Sequence, residues 1–176
     1  MKTSKKTVSV ILPNFNGREL LEEFIPSIIE ALTFSNIEYE FILVDDQSTD
    51  NSVDYIKNHF PSIILVENKI NKGFSFTCNK GIEIAKKDLV FLVNSDVKLS
   101  IDYFEQQLKY FEMNETFGVM GQIKNYESLK TEDHARFPRF KGVKLKATKF
   151  YYSTNSSEKV FTTYLSGANA LICNQK

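Results

Sequence analysis

At 176 residues, with 42% apolar and 25% charged side chains, the chain has the size and make-up of one ordinary globular domain with a real core. Its 22 basic and 22 acidic residues cancel, so composition offers no argument for a nucleic-acid partner. No apolar run approaches the ~20 residues of a membrane span, and the five-residue run after Lys2, Lys5 and Lys6 is too short for the ~7–15-residue core of a secretion signal, so a cytoplasmic location is expected.

Residues 8–12, Val-Ser-Val-Ile-Leu, form an apolar β-type run closed by Pro13 and Asn14 and read as a buried strand. Leu20, Leu21, Phe24, Ile25, Ile28, Ile29 and Leu32 then recur at helical spacing, with Asn16 as the expected cap and Pro26 as an expected bend. Residues 41–44 are a second buried strand, ending in Asp45-Asp46. A polar turn follows, and Asp50 is the expected cap of a helix through Tyr55 and Ile56. Residues 63–66 make a third strand. The next helix carries Phe74, Cys78, Ile82 and Ala85 on one side, and residues 88–93 form a fourth strand ending in Asn94-Ser95-Asp96. Ile101, Phe104, Leu108 and Phe111 mark another helix with Ser100 as its cap, and residues 117–123 read as one more strand.

Strands alternating with helices predict an α/β fold, a Rossmann-like and mainly parallel central sheet with helices on both faces. After Ile123 the rhythm breaks. Residues 124–160 read as long loop with little regular structure, and residues 124–149 hold eight Lys/Arg against three Asp/Glu. Residues 164–173 resume an apolar, strand-like pattern. Cys78 and Cys173 lack CxxC spacing and read as reduced thiols.

In an open parallel sheet, ligands bind beyond the carboxyl ends of the strands. Here those ends are Pro13-Asn14-Phe15-Asn16, Asp45-Asp46 and Asn94-Ser95-Asp96, which converge on one edge. The chemistry fits a nucleoside diphosphate. A carboxylate after the second strand can accept from base N–H or ribose hydroxyl groups. One after the fourth can hold Mg²⁺ or Mn²⁺, ions that need only one or two protein carboxylates when phosphate and water complete the shell.

The runs Val8-Ser-Val-Ile-Leu-Pro-Asn-Phe-Asn-Gly17, Leu43-Val-Asp-Asp-Gln-Ser-Thr-Asp-Asn-Ser52, Asn71-Lys-Gly-Phe74, Cys78-Asn-Lys-Gly81 and Leu92-Val-Asn-Ser-Asp96 resemble the family-2 inverting glycosyltransferases of GT-A fold, in that family's order and spacing. The closest flavour is the rhamnosyltransferase-like branch, in which an Asn-x-Asp segment replaces the commoner Asp-x-Asp. The resemblance covers residues 7–123, with an echo at Arg136-Phe-Pro138 and Gly167-Ala-Asn-Ala-Leu-Ile172.

The resemblance implies a nucleotide-diphospho-sugar transferase that moves a sugar from a UDP- or dTDP-sugar to a hydroxyl of a polysaccharide or lipid-linked glycan, with inversion. It implies donor contacts from Pro13, Asn14, Asn16, Asp45, Asp46, Gly73, Asn79, Asn94, Ser95 and Asp96, with the metal on Asp96 because neutral Asn94 cannot match a carboxylate. Residues 7–123 would be the donor part of a single domain and 124–176 the start of its acceptor side. The family's catalytic base lies after the strand like residues 167–172, so a base is expected beyond Lys176 and the chain is read as C-terminally truncated.

Plainer roles stand beside these. Asn79 can bond helix ends, Gly81 suits close helix–sheet packing, and Phe74 suits the core. His59 and His134 lack ligand spacing. The basic run is a solvated surface, or else, with Phe150-Tyr151-Tyr152, a peripheral contact to the inner face of a membrane or to an anionic acceptor. A nucleotidyltransferase or a dinucleotide oxidoreductase would need a Gly-rich loop after the first strand, which Asn14-Phe-Asn-Gly-Arg18 does not provide. A non-catalytic nucleotide- or glycan-binding module of the same fold remains the alternative.

Overall fold

The computed structural model describes residues 6–113, 115–133, 136–149, 162 and 164–174; for residues 133, 136–140 and 147–149 it describes the backbone. His134 and all of residues 150–160, the Phe150-Tyr151-Tyr152 cluster among them, lie outside the described residues.

Strand β1 (Val8–Asn14) leads into helix α1 (Arg18–Phe34), then β2 (Tyr39–Asp45), α2 (Ser52–His59), β3 (Ile64–Glu67), α3 (Phe74–Ile84) and β4 (Leu89–Val93). Helix α4 (Tyr103–Leu108) continues as a 3-10 turn, Lys109–Glu112. Short strands β5 (Gly118–Met120), β6 (Ile123–Lys124), β7 (Thr131–Asp133), β8 (Arg136–Lys141), β9 (Lys144–Lys149) and β10 (Asn169–Cys173) follow. The central sheet has the order β3-β2-β1-β4-β10-β5. Strands β1 to β4 are mutually parallel, and β10 runs antiparallel between β4 and β5. The α/β expectation of a mainly parallel sheet holds.

Alternation along β1 sorts its side chains to two cores. Val8, Val10 and Leu12 pack with Leu21, Ile25 and Ile28 of α1, Ile56 of α2 and Phe104 of α4. Ile11, with Ile42, Val44 and Val90, packs on the other face with Ile82 of α3. Burial of each such side chain contributes about 1.5–3 kcal/mol. Gly81 permits the close approach of α3. A Cβ there would stand 2.5 Å from Ile11 Cγ2 and 3.2 Å from Val44 Cγ2.

Several expectations need correction. Strand β1 does not stop at Leu12 but runs through Pro13 to Asn14. The Asn14 carbonyl accepts from the Asp46 N–H on the β2 side, so the Pro13 nitrogen faces β4, where pairing has already ended at Ile11 opposite Leu92. Pro26 does lie inside α1, as expected, on its exposed face. The cap position of α1 is Gly17, not Asn16, and α4 follows Asp102, not Ser100. Helix α2 follows Asn51, but the carboxylate of Asp50 does serve its start. Asp50 accepts from the Ser52 N–H at 3.0 Å and from the Arg18 N–H of α1 at 3.0 Å, so one anion answers two helix N-termini.

The strand expected at 117–123 is two strands in different sheets, broken at Gly121, which is pressed against the Tyr103 ring and Asn169. Outside the turn at residues 125–130, the described part of residues 124–160 is regular structure rather than loop. It forms the β6–β7 pair and a β8–β9 hairpin that turns at Gly142, φ 63°. Lys144-Leu-Lys-Ala147 carries the period-2 alternation of a strand, which the count of charges hid.

Candidate functional site

The sheet order places the topological switch between β1 and β4, because β2 and β3 build out on one side of β1 and β4 starts the other. Asn14, Asp45 and Asn94 therefore end or follow three neighbouring parallel strands at one edge. Beside this edge lies a cleft of about 300 Å³ lined by Pro13, Asn14, Phe15, Asp46, Asn71, Gly73, Phe74 and Thr77.

Asp45 is 2% exposed and faces the protein. Its carboxylate accepts from Asn14 Nδ2 at 2.8 Å, from the Ser48 N–H at 2.8 Å and from Ser48 Oγ at 2.6 Å. It was expected to meet base or ribose. Those bonds hold the β1 and β2 ends together, and Asp45 does not line the cleft. Asn16, φ 51°, extends that latch. Its N–H donates to Ser48 Oγ at 2.8 Å and its Oδ1 accepts from the Thr49 N–H at 2.7 Å. It does not line the cleft.

Asp46 does line the cleft. Its carboxylate accepts from Asn68 Nδ2 at 2.8 Å, the Lys72 N–H at 2.9 Å and the Gly73 N–H at 2.7 Å. Burial would push its carboxyl up, but the hydrogen bonds from Lys72, Asn68, Gly73 and Thr77 outweigh this and hold it below the ordinary carboxylate value. These bonds pin the turn into α3. Gly73 adopts φ 82°, and a Cβ there would meet nothing within 4 Å. Backbone conformation, not crowding, is thus what calls for glycine here.

Phe74 was expected in the core. It is 51% exposed on the cleft wall, and Phe15, 54% exposed, is a second aromatic there. Phe74 is the first residue of α3, a turn before the buried Thr77 and Cys78, so its helical periodicity does not bring it into the core. Asn79, expected to hold the donor wall, is exposed on α3 and does not line the cleft. Asn68 and Thr77 fill that role. Asn68 Nδ2 also lies 3.3 Å from Thr77 Oγ1, and Asn68 Oδ1 accepts from Lys80 Nζ at 2.8 Å. Asn68 directly follows β3, so applying the strand-end rule to the third strand would have found it.

On the β4 side, the Asn94 N–H donates to the Ala168 carbonyl at 3.1 Å, which ties β4 to the turn before β10. Gly17 sits between the strand ends. A Cβ there would stand 2.5 Å from Asn14 Oδ1 and 3.7 Å from Ser95 Oγ. Asp96 is exposed. Among the described residues no three His, Cys, Asp or Glu side chains gather as a metal site. A cation at the strand end would rely on Asp96 and on Asn94, whose Oδ1 is buried with no hydrogen-bond partner. One carboxylate and one amide oxygen, two residues apart, fit a hard divalent ion that keeps water and phosphate ligands.

The sequence profile of glycosyl transferase family 2 matches residues 9–174. The poly(ribitol-phosphate) beta-N-acetylglucosaminyltransferase TarP of Staphylococcus aureus (strain N315) is 32% identical over 120 residues, which are 66% of this chain and 36% of that protein. The poly(ribitol-phosphate) beta-glucosyltransferase of Bacillus spizizenii is 27% identical over 121 residues, 66% of this chain and 19% of that one. The chain therefore spans well under half the length of these curated relatives. Among solved structures, a mannosyltransferase from Pyrobaculum calidifontis in complex with GDP-Man and Mn²⁺ superposes with a TM-score of 0.62 at 22% identity, over 72% of this chain and 38% of that one. S. aureus TarS (1–349) in complex with UDP-GlcNAc gives 0.60 at 21% identity, over 69% and 36%. The fold is GT-A, an α/β architecture shared with these neighbours. With its profile matched almost end to end, the chain belongs to glycosyl transferase family 2.

Proposed function

We propose that the cleft beside β1 and β2 binds the nucleotide of a UDP- or dTDP-sugar, and that the protein transfers the sugar to an acceptor hydroxyl with inversion. The observation that carries this reading is the cleft itself. Phe15 and Phe74 offer aromatic surface to a base, and Asp46 offers a fixed carboxylate in the same cleft. A carboxylate has about four lone-pair sites. Asn68, Lys72 and Gly73 fix the orientation of Asp46 at the cleft wall, where an N–H or O–H of the ligand would share its remaining acceptor capacity. Asn94, Ser95 and Asp96 would then face the ribose and diphosphate. A Mg²⁺ or Mn²⁺ ion held by Asp96 with Asn94 would supply charge neutralisation for the leaving diphosphate.

Inversion requires the acceptor oxygen to attack the anomeric carbon from the face opposite the diphosphate while a base takes its proton. Asp46 is a poor base because its hydrogen bonds depress its carboxyl, and it is the one acid lining the cleft among the described residues. Residues 7–123 serve as the donor part, residues 124–176 begin the acceptor side, and the base stands outside the cleft described here. The acceptor class is a cell-wall polysaccharide or a lipid-linked glycan, in keeping with what TarP and the B. spizizenii enzyme are named for. Their names are glucosyl and N-acetylglucosaminyl, which favours a hexosyl donor over the rhamnosyl flavour of the motifs. Such acceptors are compatible with a cytoplasmic protein working peripherally at the inner face of a membrane. Among the described residues no helix is long and apolar enough to cross one.

The engagement of Asp46 also supports a second reading, a non-catalytic nucleotide- or glycan-binding module of this fold. A thermal-shift screen of nucleoside diphosphates and their sugars, with and without Mn²⁺, tests the binding claim, because a specific ligand stabilises the fold by mass action. Stabilisation by UDP or dTDP compounds is expected, and its absence across the screen would remove the cleft as a nucleotide site. A sugar-transfer assay then separates enzyme from module.

A further inference from the structure

We propose that the tip of the β8–β9 hairpin is a lipid-docking element that seats this chain on an anionic membrane surface. The hairpin forms a two-stranded sheet of its own, separate from the central sheet. A two-stranded hairpin is marginal in water unless something covers it. Its turn is Gly142-Val143, flanked by the paired residues Lys141 and Lys144. Val143 is 99% exposed, and Leu145, next to Lys144, is 63% exposed. Lys141, Lys144 and Lys146 are all exposed, and none of them takes part in an ion pair among the described residues. The surrounding stretch, residues 124–149, carries eight Lys/Arg against three Asp/Glu.

Charge complementarity selects an anionic partner, and the aliphatic tip selects its kind. Entering tip first, Val143 and Leu145 would reach the boundary of the acyl chains, while Lys141 and Lys144 on either side of the turn meet anionic headgroups. Membrane attachment of peripheral proteins combines these two signals, apolar insertion and a basic patch. A soluble polyanion, such as a polyol-phosphate chain, would engage the lysines but has no use for a fully exposed valine.

Vesicle sedimentation of the whole chain tests this, with phosphatidylcholine vesicles compared with vesicles containing about a third phosphatidylglycerol, an arbitrary but sufficient anionic fraction. Binding to the anionic vesicles at low salt, fading as salt is raised, is expected. Two surface variants separate the contributions, each checked for an unchanged melting temperature. The triple variant Lys141→Glu, Lys144→Glu, Lys146→Glu should lose at least about a hundredfold in partitioning, from roughly fivefold per lysine. Val143→Asp should also lose binding with all three lysines intact. Full binding by Val143→Asp, together with competition by soluble polyphosphate, would overturn the proposal in favour of a polyanion site. No binding by the parent chain would overturn it outright. Because nucleotide binding by the cleft is measured separately, this inference and the donor-site reading can fail independently.

Discussion

The side-chain amide of Asn14 donates to the carboxylate of Asp45 at 2.8 Å, both groups buried, and this bond ties the carboxyl ends of β1 and β2. The latch continues outward. Ser48 donates to Asp45 and accepts from the Asn16 N–H, Asn16 accepts from Thr49, and Asp50 accepts from Arg18 at the start of α1. Two loops of the candidate site are thereby fixed to each other before any ligand arrives, the preorganisation that lowers the cost of binding.

Removing the centre of this latch should be costly. Asp45→Ala leaves the Asn14 amide, the Ser48 N–H and the Ser48 hydroxyl without their acceptor, and an expected loss of about 2–4 kcal/mol follows. Ser48→Ala should lose about 1 kcal/mol. Urea unfolding followed by circular dichroism checks both. Equal stability of Asp45→Ala and the parent would show that the latch contributes nothing.

The contact of α3 with the sheet should tolerate no side chain at position 81. With Ile11 Cγ2 at 2.5 Å from the Cβ position, Gly81→Ala should destabilise by about 1–3 kcal/mol through overpacking. Gly73→Ala has open space but a backbone at φ 82°, ψ 168° that is essentially reserved for glycine, so its cost should be comparable, about 1–3 kcal/mol. It should also lower ligand affinity, because the turn it strains forms the cleft wall. Thermal melts of the two variants, compared with their nucleotide affinities, test this, and an affinity loss confined to Gly73→Ala is expected.

Acid should act through three carboxylates that accept from backbone N–H groups. Asp46 is held below its ordinary 3.8 despite burial, and Asp50 likewise, burial being outweighed by bonds from Ser52 and Arg18. Asp88 is lowered chiefly by the Thr7 N–H. A carboxyl lowered in the fold binds its proton more readily when unfolded. Its contribution is therefore complete above the ordinary value and is lost as pH falls from there through the folded value. Melting temperature should be insensitive to these groups near neutrality and decline below about pH 4. Asp46→Asn should be less stable at pH 7 and decline less steeply in acid. A decline as steep as the parent's would remove Asp46 from the acid transition.

Much of the architecture was legible in residue order because strands covered on both faces must be continuous apolar runs. Val8-Ser-Val-Ile-Leu12 and Leu89-Val-Phe-Leu-Val93 announce themselves this way. The site was legible to the extent that it follows from topology, since polar residues after parallel strands share an edge. What sequence spacing could not give was direction. Asp45 and Asp46 are adjacent, yet in a strand neighbours point opposite ways, so one faces the Asn14 latch and the other the cleft. Phe74 shares the period of Cys78 but is half exposed on the cleft wall, and Asn79 is exposed on its helix. The β8–β9 hairpin was missed because its strands owe little to burial, leaving only alternation and one glycine turn as signals.

Burial pushes the Cys78 thiol up to about 11. Few thiolates form there at neutral pH, so native Cys78 should react with iodoacetamide far more slowly than an unfolded cysteine. Mass spectrometry of labelled peptides, native against denatured, measures the ratio. Rapid native labelling at Cys78 would show that α3 opens away from the sheet.

The central claim is that the strand-end edge binds a nucleoside diphosphate with the help of a cation on Asp96. Titration calorimetry of UDP and dTDP into the chain, with and without Mn²⁺, and into Asp96→Ala, tests it most directly. Binding by the parent chain should be tightened by Mn²⁺, and Asp96→Ala should lose at least about tenfold of that metal-assisted affinity, roughly 1.4 kcal/mol, while its metal-free binding stays unchanged. Saturable binding that Asp96→Ala matches in the presence of Mn²⁺ would remove Asp96 from the site. No binding of either nucleotide by the parent chain would contradict the account as a whole.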